Sequence, residues 1–132
     1  MSGTEIAGRR ILVVEDEMLI ALLIEDAVKD SGGEIVGPAS TLEKALKLAE
    51  EGEFDAAILD VTIRGGKVYP VADLLLARGV PFVFASGHGD SALPEELRDK
   101  PRLTKPFTAA ALDEQIRSLY DEARSRRETA QG

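Results

Sequence analysis

Short, unbroken aliphatic runs recur along the chain without any alternation of apolar and polar residues. The clearest runs lie at residues 11–14, 56–59 and 81–85. Continuous apolar runs of this length are typical of strands that are buried on both faces of a parallel sheet. Two less apolar stretches, at 34–37 and 102–104, predict strands at the edges of that sheet.

Helical patterns fill the gaps between the runs. Predicted helices cover residues 17–30, 41–51, 68–78 and 108 to about 127, with Ser40 or Thr41 and Thr108 as capping hydroxyl residues. Strands that alternate with helices predict a three-layer α/β domain. Between residues 87 and 101, glycines and prolines leave only Leu93 and Leu97 as apolar anchors, so any helix there is short.

The first predicted helix has a wider apolar surface than packing on one sheet requires. Two adjoining stripes cover more than half of its circumference: Met18, Leu19, Leu22 and Leu23, and then Ile20, Ile24 and Ala27. Either the helix packs against both the sheet and the C-terminal helix, or part of the surface stays exposed for a partner helix.

Composition narrows the class of protein. The 132 residues fit one domain, and the absence of cysteine excludes disulfides and zinc–thiolate sites. Sixteen basic against 24 acidic residues give a formal charge of -8, which argues against nucleic-acid binding. Neither a membrane span nor a secretory signal is apparent in the sequence. We therefore expect a soluble, cytoplasmic, acidic domain.

Chemistry-bearing residues follow four of the predicted strands. Open parallel sheets bind ligands beyond the carboxyl ends of their strands. The residues at those ends are Glu15 and Asp16, Asp60, Ser86 and Lys105. Clustered carboxylates need a counter-charge, which a hard divalent cation such as Mg²⁺ supplies. A carboxylate beside a metal, a lysine and a hydroxyl group suits an aspartyl phosphate.

These segments resemble the receiver domain of two-component response regulators. The resemblance extends from Ile11 to about Leu119 and rests on ILVVEDE at 11–17, AAILDV at 56–61, FASG at 84–87 and LTKPF at 103–107. It implies a flavodoxin-like (βα)5 fold with a five-stranded parallel sheet of order 2-1-3-4-5 and a short or loop-rich fourth helix. The expected organisation is an N-terminal tail at 1–8, the receiver at 9–122, and a helix end with a frayed tail at 123–132.

The resemblance also implies a role for each residue at the strand ends. Asp60 is the expected phosphoacceptor, and Asp16 and Asp60 are expected to bind Mg²⁺ directly. The Thr62 carbonyl is a third expected ligand, and Glu15 acts through metal-bound water. Ser86 is the expected switch hydroxyl, and Lys105 is the lysine that precedes the cis-proline Pro106. By the same resemblance, Thr62 and His88 are candidates for tuning phosphoryl hydrolysis.

A closer similarity concerns residues 68–87, which resemble the stand-alone FAT GUY regulators and the receivers of general-stress anti-sigma regulators. Two features depart from these patterns. His88 and Gly89 follow FASG in place of the usual continuation, and Arg102 stands where ordinary receivers carry an aromatic switch residue. Tyr69 is interpreted as a packing residue. The alternative is that Tyr69 replaces the missing aromatic switch residue. Gly65 and Gly66 indicate a flexible loop.

The resulting hypothesis is a single-domain response regulator. It takes a phosphoryl group from a histidine kinase or phosphotransfer protein that docks at residues 18–27, and it acts by protein binding or phosphoryl relay, in a general stress response. We expect a monomer, no turnover enzyme and no contact with membrane or nucleic acid. A phosphorylation-independent binding module is the main alternative. A haloacid-dehalogenase-like phosphatase and a flavodoxin-like cofactor binder fit less well, because the acidic pair comes first in the chain.

Overall fold

The predicted alternation of strands and helices is present in the computed structural model, which describes residues 9–87 and 93–131. The strands are β1 (Arg10–Val14), β2 (Glu34–Ala39), β3 (Ala56–Asp60), β4 (Thr62–Ile63), β5 (Gly66–Lys67), β6 (Phe82–Ser86) and β7 (Arg102–Thr104). The helices are α1 (Met18–Asp30), α2 (Leu42–Glu51), α3 (Tyr69–Arg78) and α4 (Ala109–Gln131). A 3-10 turn, Glu95–Leu97, lies between β6 and β7.

Five of the strands form one parallel sheet in the order β2-β1-β3-β6-β7. This is the predicted order 2-1-3-4-5, because β4 and β5 form a separate antiparallel pair. The two less apolar strands lie at the edges, as their composition predicts. The flavodoxin-like receiver fold expected from the sequence is therefore confirmed.

The sheet is covered on both faces, which explains the unbroken apolar runs. Alternate residues of β1 point to opposite sides, with Leu12 and Val14 in one core cluster and Ile11 and Val13 in the other. Helices α2 and α3 pack on the first face, and α1 and α4 pack on the second. Each central strand therefore needs apolar side chains at every position.

Helix α1 divides its apolar surface between the core and solvent. Ile24 and Val28 are buried in the cluster shared with α4. The other stripe is open, with exposed fractions of 77% at Met18, 81% at Leu19, 49% at Leu22 and 38% at Leu23. The helix thus packs against both the sheet and α4, as one interpretation predicts, and it also leaves an apolar stripe exposed, as the other predicts. A partner helix on that stripe stays a prediction.

The region before β7 is as poor in helix as predicted. In its described part, the only helical element is the 3-10 turn, and Leu93 and Leu97 are both buried in the core. Helix α4 extends further than predicted, to Gln131. Within the described residues, no helix combines the length and apolarity needed to cross a bilayer.

A bulge at the end of β2 was not predicted. The register between β1 and β2 shifts between Leu12 and Val14, opposite Gly37, which has a φ of +103°. The bulge brings the Ala39 carbonyl to 3.0 Å from the amide nitrogen of Glu15. An edge-strand bulge therefore fixes the backbone that carries the first acidic residue.

Replacing Gly37 by alanine is expected to destabilise the fold by about 2 kcal/mol. The positive φ disfavours alanine, and its Cβ would lie 2.9 Å from both the Val13 carbonyl oxygen and the Ala39 amide nitrogen. Urea unfolding measures the change. Gly87→Ala is the matched control, because its Cβ would meet no atom within 4 Å. Equal stability of the two variants would contradict this account of the bulge.

Candidate functional site

The candidate site lies at the carboxyl edge of the sheet, where β1, β3, β6 and β7 end. Asp60 is the last residue of β3 and Ser86 is the last residue of β6. Glu15 follows β1 and Lys105 follows β7 directly. Because these strands are parallel neighbours, their ends meet at one edge, and the predicted residues lie together there.

Lys105 is the centre of the site. Its Nζ lies 3.1 Å from Asp60 Oδ2 and 3.2 Å from Glu15 Oε1, and it is also 3.2 Å from Glu17 Oε1. The side chains of Lys105, Glu15 and Asp60 are 14%, 0% and 5% exposed. A buried cation with several acidic partners forms strong, charge-assisted hydrogen bonds. The lysine therefore ties β7 to β3 and to the segment after β1.

The acidic residues carry more negative charge than Lys105 balances. One carboxylate oxygen from each of Glu15, Asp16 and Asp60 lies within 4.8 Å of the others. Glu15 Oε1 is buried and accepts no hydrogen bond from any described residue, although the Lys105 ammonium is near. Oxygen ligands with excess negative charge are those that Mg²⁺ prefers. The donor set therefore fits a hard divalent cation.

Backbone groups hold the carboxylates in place. The Glu17 amide donates a hydrogen bond to Glu15 Oε2 at 3.1 Å. The Thr62 amide donates to the Asp60 carboxylate. The Lys105 amide donates to the Ser86 carbonyl at 2.8 Å, so the lysine and the hydroxyl residue are fixed relative to each other.

The ionisation of the site follows from its burial. Burial, reinforced by a hydrogen bond to Asp60, raises the pKa of Glu15 from 4.5 to about 7. Burial also raises the pKa of Asp60, although hydrogen bonds from Glu15 and Lys105 oppose the rise. Burial lowers the pKa of Lys105, but its hydrogen bonds and proximity to Asp60 and Glu15 outweigh that effect and raise it overall. Below about pH 7, Glu15 therefore retains a proton that an exposed glutamate would release.

The structure brings most of the predicted residues together. Glu15, Asp16, Asp60 and Lys105 form one cluster, with Ser86 at the adjacent strand end. The Lys105–Pro106 peptide is cis. Thr62 begins β4, with an exposed side chain. His88 lies outside the described residues.

Two residues at the site were missed from the sequence. Glu17 contacts Lys105, and its position directly after Glu15 and Asp16 could have indicated this. Lys67 donates a hydrogen bond of 2.7 Å to Thr62 Oγ1, and nothing in the sequence pattern indicated that contact.

The two residues considered for an aromatic switch, Arg102 and Tyr69, lie on different elements, β7 and α3. Arg102 is exposed at the start of β7. Tyr69 is partly buried and packs edge-on against Phe84, with ring centroids 6.5 Å apart. This contact fits its interpretation as a packing residue.

Comparison with known proteins gives a consistent result. The family model "Response regulator receiver domain" matches residues 11–117. The phyllosphere-induced regulator PhyR of Methylorubrum extorquens is 33% identical over 138 residues, which cover 98% of this chain and 51% of PhyR. The transcriptional regulatory protein PdtaR of Mycobacterium tuberculosis is 32% identical, over 79% of this chain and 53% of PdtaR. The chain thus spans about half the length of these curated relatives.

Two solution structures of proteins named SdrG are similar to this chain. The solution structure of SdrG from Sphingomonas melonis Fr1 is 46% identical, with a TM-score of 0.74, and the match covers 83% of this chain and 94% of SdrG. The BeF3-activated conformation of SdrG from Pseudomonas melonis Fr1 is 44% identical, with a TM-score of 0.71, over 86% of this chain and 98% of SdrG.

The raised pKa of Glu15 predicts that the metal-free protein loses stability as pH rises from 4.5 to about 7. In this window the folded protein retains a proton that the unfolded chain releases, so unfolding becomes more favourable as pH increases. The stabilisation is full below pH 4.5 and is lost above about pH 7. We expect a decrease on the order of 2 kcal/mol between pH 5 and 8, measured by urea unfolding in chelator.

Glu15→Gln mimics the protonated side chain and should remove most of this decrease. Glu53→Gln is the matched control, because the Glu53 side chain is 88% exposed. The same pH dependence in the wild type and Glu15→Gln would show that Glu15 does not hold the proton.

Proposed function

The chain belongs to the response regulator receiver domain family, and on that premise we propose that it accepts a phosphoryl group on Asp60 in two-component signalling. Receiver domains are signalling modules that interact with histidine kinases and phosphotransfer proteins, and they are not turnover enzymes. The observation that carries the proposal is the placement of Asp60. It is a buried carboxylate at the end of a central strand, 3.1 Å from the Lys105 ammonium and grouped with two further acidic residues.

The proposed reaction is an attack by an Asp60 oxygen on the phosphorus of a phosphohistidine. A P–O bond forms, the P–N bond breaks, and its electron pair leaves with the imidazole. Lys105 is placed to hold the attacking carboxylate and to neutralise charge on a phosphoryl oxygen. Glu15 carries a proton in the metal-free site, and its loss would provide a further anionic oxygen.

Asp16 and Asp60 would hold Mg²⁺ directly, with the Thr62 carbonyl and, through water, Glu15. When bound, the ion neutralises charge on the phosphoryl oxygens during transfer. Ser86 is proposed as the hydroxyl that turns to the phosphoryl group afterwards. Its place beside Asp60 in the strand order supports this role.

Incubating the protein with a small acyl phosphate should add one phosphoryl group only when Mg²⁺ is present. Asp60→Asn should abolish the mass increase of one phosphoryl group, because an amide is not a nucleophile towards phosphorus. Intact-mass spectrometry measures the product. Asp73→Asn, on the exposed surface of α3, is the matched control and should be labelled normally. Labelling that persists in Asp60→Asn would refute the proposed phosphoacceptor.

The exposed stripe of α1 is proposed as the docking surface for the phosphoryl donor. It consists of Met18, Leu19, Leu22 and Leu23. The stripe begins directly after Glu17, which contacts Lys105, so a helix packed on it would present a histidine towards the site. An amphipathic partner helix that covers a contiguous apolar stripe is a common mode of recognition.

Leu19→Ser should slow phosphoryl transfer from a phosphorylated partner protein by about tenfold, because it removes an apolar contact from the interface. Its labelling by a small acyl phosphate should change by less than about twofold, since that donor needs no helix. Leu76→Ser is the matched control, an exposed leucine on α3 with no place in the stripe. Quenched time courses of phosphoryl transfer from each donor measure the two rates. Equal slowing by the two variants would contradict docking on α1.

The remaining parts of the proposal follow from composition and resemblance. The acidic composition supports action through protein partners or phosphoryl relay, without nucleic acid or membrane binding. We propose a cytoplasmic monomer. The resemblance of residues 68–87 to receivers of general-stress regulators supports a role in a stress response.

A further inference from the structure

The segment after Asp60 is a fixed hairpin, although its two glycines predicted a flexible loop. Strands β4 and β5 pair antiparallel around a turn of Arg64 and Gly65, and Gly65 and Gly66 have φ values of +100° and +138°. Ile63 is 4% exposed and anchors the hairpin in the core. The Leu42 amide, at the start of α2, donates a hydrogen bond of 2.8 Å to the Arg64 carbonyl.

Hydrogen bonds at the base of the hairpin connect it to the sheet. The Val68 amide donates to the Val61 carbonyl at 2.8 Å, and the Val61 amide donates to the Ala85 carbonyl at 3.0 Å. Both valines are fully buried. The hairpin therefore has a fixed position relative to Asp60, and so do the side chains that its strands carry.

This geometry places Lys67 opposite Thr62. The two residues are cross-strand partners, and Lys67 Nζ donates a hydrogen bond of 2.7 Å to Thr62 Oγ1. The Thr62 amide in turn donates to the Asp60 carboxylate. Lys67 is thus two hydrogen bonds away from the proposed phosphoacceptor, on a route that does not involve Lys105.

We propose that Lys67 is a positioning residue that prolongs the lifetime of the phosphoryl group on Asp60 by fixing the hydroxyl of Thr62. The inference rests on the proposed function. A hydroxyl group has one proton and two acceptor lone pairs. The ammonium occupies one of the two lone pairs of Thr62 Oγ1, so the hydroxyl has one acceptor position fewer to offer a water molecule.

The step affected is the hydrolysis of the acyl phosphate. A water oxygen attacks phosphorus, the bond from phosphorus to the Asp60 oxygen breaks, and its electron pair returns to the carboxylate. The water gives up a proton as inorganic phosphate forms. Without the contact from Lys67, the Thr62 hydroxyl could accept a hydrogen bond from this water more readily and hold it beside phosphorus. The contact from Lys67 competes with the water for that oxygen.

The test compares the decay of phosphorylated wild type and Lys67→Met. Each protein is phosphorylated with a small acyl phosphate and Mg²⁺, the donor is removed by rapid desalting, and intact mass is followed over time. Lys67→Met should shorten the half-life by about 3- to 10-fold, the effect of one hydrogen bond on a rate. Lys67→Arg, which retains a donor, should restore most of the lifetime.

Combining Lys67→Met with a second substitution at Thr62 distinguishes an effect through the hydroxyl from a general effect of the lysine charge. In Thr62→Val, which lacks the hydroxyl, Lys67→Met should cause no further change in the half-life. In Thr62→Ser, which retains the hydroxyl, the effect of Lys67→Met should persist. If Lys67 only stabilised the fold, its effect would not depend on the Thr62 hydroxyl. Equal urea unfolding midpoints of wild type and Lys67→Met would confirm that the fold is intact.

Three outcomes would overturn the inference. An unchanged half-life in Lys67→Met would remove it while leaving phosphorylation of Asp60 intact. An undiminished effect in the Thr62→Val background would show that Lys67 acts through its charge and not through the hydroxyl. Absence of any label on wild-type Asp60 would refute the proposed function, and this inference with it.

Discussion

The ammonium group of Lys105 is the interaction on which the arrangement of the site depends. A buried carboxylate is costly unless a cation or hydrogen-bond donors compensate it. Asp60 and Glu15 are both nearly inaccessible, and Lys105 is within 3.3 Å of each of them. Without this cation, burying the two acidic residues side by side at the sheet edge would cost more free energy. The same positive charge opposes the rise that burial causes in the pKa of Asp60, and so it favours the ionised form of that carboxylate.

The sheet explains why the site could be found from the sequence. Its central strands are buried on both faces, so they form unbroken apolar runs whose ends are visible along the chain. Once the ends are known, the polar residues that follow them must meet, because parallel strands end at a common edge. Glu15, Asp60 and Lys105 were predicted for this reason. The caps at Thr41 and Thr108 followed from local chemistry, and both accept the predicted backbone hydrogen bonds.

Other features leave no comparable signal in the sequence. Strands β4 and β5 have two residues each, too few for any periodicity, so the hairpin and the Lys67 contact depend on the turn between them. The bulge at Gly37 depends on how two strands are aligned, which one strand alone does not specify. The apolar width of α1 was visible, but which stripe faces solvent depends on where α4 packs. The pattern therefore identified the components of the site better than the contacts between them.

The sequence distances across the ion cluster have a consequence for when the chemistry becomes available. Lys105 is 45 positions from Asp60 and 90 positions from Glu15, and β7 joins the sheet only at its edge. A chain emerging from the ribosome presents Asp60 long before Lys105, the cation with which it pairs. Closure of such long loops is the slow part of folding. A chain in which β7 has not docked therefore lacks the lysine, so the ion cluster is assembled only when the whole domain has folded.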